Sequence, residues 1–85
     1  MTPESIRTTL TDLFREVFED QSLTIAPETT AADVVGWDSQ ANITLMVATE
    51  ARFGIRFRNA EIEQLHNVGD LIALVGKKCG SGQAK

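Results

Sequence analysis

Apolar residues at Ile6, Leu10, Leu13, Phe14, Val17 and Phe18 recur at steps of three and four, the period of one face of an amphipathic helix. Thr2 offers a capping hydroxyl, and Pro3 lacks an N–H that the first helical position does not use. A first helix is therefore predicted from about Pro3 to Glu19. From Asp20 to Asp38 the periodicity lapses around Pro27, Thr29 and Thr30, with Leu23, Ile25, Val34, Val35 and Trp37 scattered through it. A connection of this length is often functional or carries a short helical turn, and its apolar residues are predicted to pack across the helices. Ser39 to Phe53 reads as a second helix, stopped by Gly54 in the left-handed conformation. "NAEIEQLH" reads as a short third helix capped by Asn59, with Ile62 and Leu65 three apart. Asn67 to Cys79 reads as a fourth. Asn67 caps it, Asp70 faces its positive end, Leu71, Leu74 and Val75 point inward, Lys77 and Lys78 sit at its negative end, and Gly80 stops it. No segment alternates with period two for long enough to make a strand, and "GIRF" is too short to build a sheet. The pattern predicts an all-α fold, a small antiparallel four-helix bundle of three longer helices and one short one. A single domain is expected over residues 1–79, with a flexible tail over 80–85.

Composition narrows the function classes. Eighty-five residues with 42% hydrophobic and 24% charged side chains make one ordinary globular domain, in which about 60% of the unfolded chain's surface can be buried. A net charge of -4, with no lysine before Lys77, argues against binding nucleic acid, which needs a basic stripe. It favours basic partner surfaces instead. The single cysteine, Cys79, and single histidine, His66, exclude an internal disulfide and a zinc site of the usual ligand number. Cys79 is expected to be exposed, and His66 to be a partly exposed helix-end residue. There is no secretory pattern at the start and no run of about 20 apolar residues to insert in a bilayer. A monomer in the cytoplasm is expected.

The candidate chemistry sits where the long connection meets the second helix, at Asp38-Ser39. A catalytic serine needs a base in reach and an oxyanion site, and the only histidine lies in a different helix. The chain is therefore not expected to be an enzyme. A serine at a helix start is well placed to carry a phosphate, because unpaired N–H groups and the helix dipole both favour an anion there. Such a group would be added by another enzyme, with Asp38 as a cap or as a carboxylate near that enzyme's metal. The rival role for Ser39 is that of a simple cap.

"GWDS" at Gly36 to Ser39, "EARFGIRF" at Glu50 to Phe57 and "NVGDL" at Asn67 to Leu71 fall in an order that, from about Ile6 to Val75, resembles an acyl carrier protein. The resemblance implies a bundle of that family's type and a 4′-phosphopantetheine arm placed on Ser39 by a phosphopantetheinyl transferase. Asp38 and Gln40 flank the attachment point, and Gly36 and Trp37 position it. The arm's thiol would hold acyl groups as thioesters for fatty-acid, polyketide or related biosynthesis. Acyl-loading and acyl-processing enzymes would be the partners of a free-standing carrier. Gln40 departs from the family, which usually has leucine, methionine or isoleucine there. Two alternatives remain: an aminoacyl or peptidyl carrier, and an unmodified helical module for protein–protein interaction.

Along the second helix, Leu45, Thr49 and Phe53 align with the family's inward face. Thr49 is expected to bond back to the Leu45 carbonyl and to stand beside an acyl cavity, a cue for short or polar cargo. Ile43 and Val47 lie four and eight residues after Ser39 and, with Glu50, are expected to dock partners. A second core contact is the rival role for Ile43 and Val47. Glu50 and Asp38 are the only acids of this helix and its mouth, Thr44 and Ala51 stand where the family often has acids, and Arg52 adds opposite charge. Docking of low salt sensitivity is expected. Arg52, Arg56 and Arg58 read as a solvated face that could touch the arm's phosphate or an acidic patch.

Overall fold

The computed structural model describes residues 2–83, with side chains described as far as Cys79. It contains α1 (Pro3–Val17), a 3-10 turn (Ala31–Asp33), α2 (Ser39–Phe53), α3 (Asn59–Glu63) and α4 (Val68–Gln83). No strand occurs among the described residues, and the all-α four-helix architecture is as predicted.

The cap of α1 is the predicted one, with the Ser5 N–H donating to Thr2 Oγ1 at 3.1 Å. Ile6, Leu10, Leu13 and Phe14 are buried. The helix stops at Val17, two residues before the predicted end, because Glu19 turns into the left-handed region at φ 53°. The following connection is strapped down at several points. Arg15 Nε donates to the Leu23 carbonyl at 2.7 Å, Asp33 closes the 3-10 turn by accepting from the Thr30 N–H at 2.9 Å, and Ile25 and Val34 are buried. The start of α4 takes part too: the Val68 and Gly69 N–H groups donate to the Thr29 and Pro27 carbonyls at 2.8 and 2.7 Å. Two of the donors that a helix start leaves unpaired are satisfied by the loop in this way. A Cβ on Gly69 would lie 3.0 Å from the Pro27 oxygen, so the close approach needs glycine.

Gly54 ends α2 at φ 67°, the predicted left-handed stop. The third helix is shorter than its pattern. Asn59 is its first helical residue instead of its cap, and Arg58 takes the cap position, its N–H donating to Glu61 Oε1 at 2.8 Å. Residues 64–67 are drawn out of α3 by the next helix: Asp70 accepts from the His66 N–H, and Asn67 Oδ1 accepts from the Asp70 N–H at 2.8 Å. Lys78 pairs with Glu61 at 2.9 Å and ties α3 to α4. The Arg58 N–H and then the Lys78 ammonium hold the Glu61 carboxyl below its ordinary range.

In α4 the buried face is Val68, Leu71, Ile72 and Val75. Ile72 takes the place predicted for Leu74, which is only half-buried, because Val68 and Leu71 centre the face one position away from it. Cys79 continues the Val75 row and packs half-buried against the core, so it is not the exposed thiol expected. The helix also passes Gly80 and runs to Gln83. A glycine inside a helix costs about 1 kcal/mol relative to alanine and does not by itself force a stop. The remainder of the expected tail, residues 84–85, lies outside the described residues. The core gathers where α1 packs on both α2 and α4.

Candidate functional site

The loop ahead of α2 is built around two residues. Gly36 adopts φ 89°, a conformation that strains any residue with a Cβ, and this turns the chain toward the helix start. Trp37 then anchors it. Its ring meets Phe14 of α1 edge-on, centroids 5.1 Å apart, and its Nε1 donates to Asn42 Oδ1 of α2 at 2.9 Å. The loop is thereby fixed to both helices.

Asp38, not Ser39, is the cap of α2. Its Oδ1 accepts from the Ala41 N–H at 2.9 Å, and its carbonyl accepts from the Asn42 N–H at 2.8 Å. Ser39 is the first helical residue, exposed and outside the capping bond. The capping role that rivalled modification is therefore filled by its neighbour. Gln40 is exposed beside it.

A groove of about 350 Å³ opens next to Ser39, with Trp37, Asn42 and Met46 on one wall and Ile62, Leu65 and Leu71 opposite. Asn42 and Met46 went unnoticed in the sequence, although they lie three and seven residues after Ser39 and so on its side of the helix. Thr49 does bond to the Leu45 carbonyl, at 2.7 Å. It is fully buried and does not line the groove beside Ser39. His66 is exposed and stands at the groove's rim.

Ile43 and Val47 are 64% and 58% exposed, which places them on the surface and not in a second core contact. Val35, grouped by its sequence context with the packing residues of the loop, is 96% exposed; its neighbour Val34 takes the buried position. Glu50 is half-buried, and its Oε2 accepts from the Phe57 N–H at 2.7 Å. Its carboxylate is thus engaged by the segment after α2. Arg52, Arg56 and Arg58 are all exposed. No cluster of three or more metal-ligating side chains occurs among the described residues. None of the helices described is long and apolar enough to cross a membrane.

Residues 8–75 match the family described as the phosphopantetheine attachment site. An acyl carrier protein of Acidothermus cellulolyticus is 31% identical over 72 residues, covering 85% of this chain and 86% of that protein. The chain belongs to the acyl carrier family. The acyl carrier protein MbtL of Mycobacterium tuberculosis is 32% identical over 76 residues, covering 89% and 90% of the two chains. The solution structure of a holo acyl carrier protein from Geobacter metallireducens superposes with a TM-score of 0.88 at 39% identity, over 93% of this chain and 91% of that one. Acyl carriers of this family bear 4′-phosphopantetheine and serve fatty-acid or related biosynthesis; they are carriers and not catalysts. The residues present fit that group: an exposed hydroxyl at a helix start, relieved of capping, with a groove beside it.

Proposed function

We propose that Ser39 is the attachment point of the 4′-phosphopantetheine arm and that the chain presents acyl thioesters to a succession of enzymes. The observation that carries this is the division of labour at the start of α2: Asp38 makes the capping bond, and the Ser39 hydroxyl stands exposed one residue on. A phosphodiester there meets the positive end of a 15-residue helix, where N–H groups and the dipole favour an anion. When bound, the arm supplies a terminal thiol for thioester formation on a tether that raises the local concentration of cargo near a docked enzyme. Gly36, Trp37 and Asp38 hold the attachment point steady. The chain itself performs no catalysis in this reading, and all residues of the site come from one copy. Its partners are a phosphopantetheinyl transferase and the enzymes that load and process the acyl group. Incubation of the protein with coenzyme A, Mg²⁺ and a broad-range transferase tests the attachment by intact mass. A gain of one phosphopantetheine unit supports it; no gain with several transferases would leave the unmodified interaction module, which exposed Gln40 favours.

Ile43 and Val47 form the apolar docking stripe in this reading, one and two turns along α2 from Ser39. Val47→Asp is expected to change stability by no more than about 0.5 kcal/mol, as exposed sites do, while weakening docking to an acyl-loading enzyme. Leu45→Asp, two positions away but fully buried, is expected to unfold the domain. Denaturant melts compare the two, and equal losses would end the docking role of Val47.

The stripe has little negative charge near it, because Glu50 is the only acid within α2, its carboxylate turned to the Phe57 N–H, and Arg52 follows in the last turn. Transferase KM is therefore expected to change less than about threefold between 50 and 300 mM salt, since surface charge pairs are the part of an interface that salt screens. A steep rise would show that charges elsewhere steer docking.

A further inference from the structure

Accepting Ser39 as the attachment point, we infer that the adjacent groove holds the oxygen-bearing end of a short acyl chain, such as a 3-oxoacyl group, in preference to a plain alkyl chain. The groove contains apolar side chains, Met46, Ile62 and Leu71 among them, but two half-buried amides, Asn42 and Asn67, also line it. The orientation of each amide is fixed by its neighbour. The indole Nε1–H of Trp37 can only donate, so the Asn42 atom facing it at 2.9 Å is the oxygen. The backbone N–H of Asp70 can only donate, so the Asn67 atom 2.8 Å from it is likewise the oxygen.

Both amide oxygens are thus occupied, and each side chain keeps an NH₂ group for which no acceptor is found among the described residues. Water satisfies such groups while the groove is open. An alkyl chain entering it would strip that water and offer nothing in exchange, whereas a carbonyl or hydroxyl oxygen close to the thioester would replace the lost bonds. The two asparagines therefore favour cargo with acceptor oxygens. The arm has amide carbonyls of its own, so the test separates arm from cargo.

The protein is loaded by a broad-range transferase from coenzyme A, butyryl-CoA, 3-oxobutyryl-CoA and octanoyl-CoA, with intact mass confirming each form. The side-chain amide signals of Asn42 and Asn67 and the indole N–H signal of Trp37 are then compared by ¹⁵N-resolved NMR. The expected result is that the 3-oxobutyryl form shifts all three signals away from their positions in the unacylated arm-bearing form, while the butyryl and octanoyl forms do not. Asn42→Asp and Asn67→Asp keep the acceptor oxygens that Trp37 and Asp70 use and replace each free donor with a charged acceptor, which repels a cargo oxygen. In the double variant the shift of the Trp37 indole by the 3-oxobutyryl group is expected to vanish. Equal shifts from butyryl and 3-oxobutyryl cargo, shifts already complete with the bare arm, or an unchanged response in the double variant would each overturn the inference. Absence of any mass gain would instead overturn attachment at Ser39, and the inference with it.

Discussion

Ser39→Ala is expected to abolish the gain of a phosphopantetheine unit completely while leaving the fold as stable as before, within about 0.5 kcal/mol. The two halves of this outcome come from different atoms. The hydroxyl is the nucleophile to which the arm is joined in the proposed reading, so without it no modification can occur. The helix start, however, is held by the Asp38 carboxylate on the Ala41 N–H, and alanine is a good residue for the first helical turn. Asp38→Ala is expected to show the opposite partition: a loss of about 1 kcal/mol from the missing cap, with modification reduced but present. Intact mass after transferase treatment and urea unfolding of both variants check the pair. A stability loss in Ser39→Ala equal to that in Asp38→Ala would mean that the serine is the cap after all.

Several features set by neighbours in the chain were legible in the sequence, whereas Asn59 and Gly80, equally local, do not act as the pattern predicts. Thr2-Pro3, Gly54 and Asn67 mark helix ends through bonds or dihedrals that involve a few adjacent residues, and each acts as read. The inward threonine was legible for the same reason, since its partner lies one turn back on its own helix. Features set by distant partners were not. The end of α3 depends on Asp70 capturing the His66 N–H, a bond that helical spacing within "NAEIEQLH" cannot reveal. The groove needs α2, the turn before α4 and the residues around α3 together, so Asn67 could not be found by scanning α2 alone. Glu50 shows a further limit: a carboxylate on a helix surface reads as turned to solvent until the backbone N–H that orients it is located.

The largest loss of stability from a single truncation is expected at Phe14, and its consequences should reach the candidate site. The side chain is fully buried, so Phe14→Ala removes a large transferred surface and leaves a cavity, together about 3–5 kcal/mol. That is a large share of what a domain of this size possesses, since small domains are stable by only several kcal/mol in total. Phe14 also supports Trp37 edge-on at 5.1 Å, and Trp37 in turn holds Asn42 through its indole N–H. Loss of the ring should therefore loosen the loop that carries Asp38 and Ser39, not merely lower the melting temperature. Trp37 is the only tryptophan, and the chain has no tyrosine, so its fluorescence reports this loosening directly as a red shift in the native state. Leu10→Ala separates the two effects. It truncates another fully buried side chain of α1, one turn earlier, and is expected to cost about 2–5 kcal/mol with the native emission unchanged. A red shift of equal size in both variants would show that the loop responds to general loss of stability, and that the aromatic contact does not itself position the attachment point.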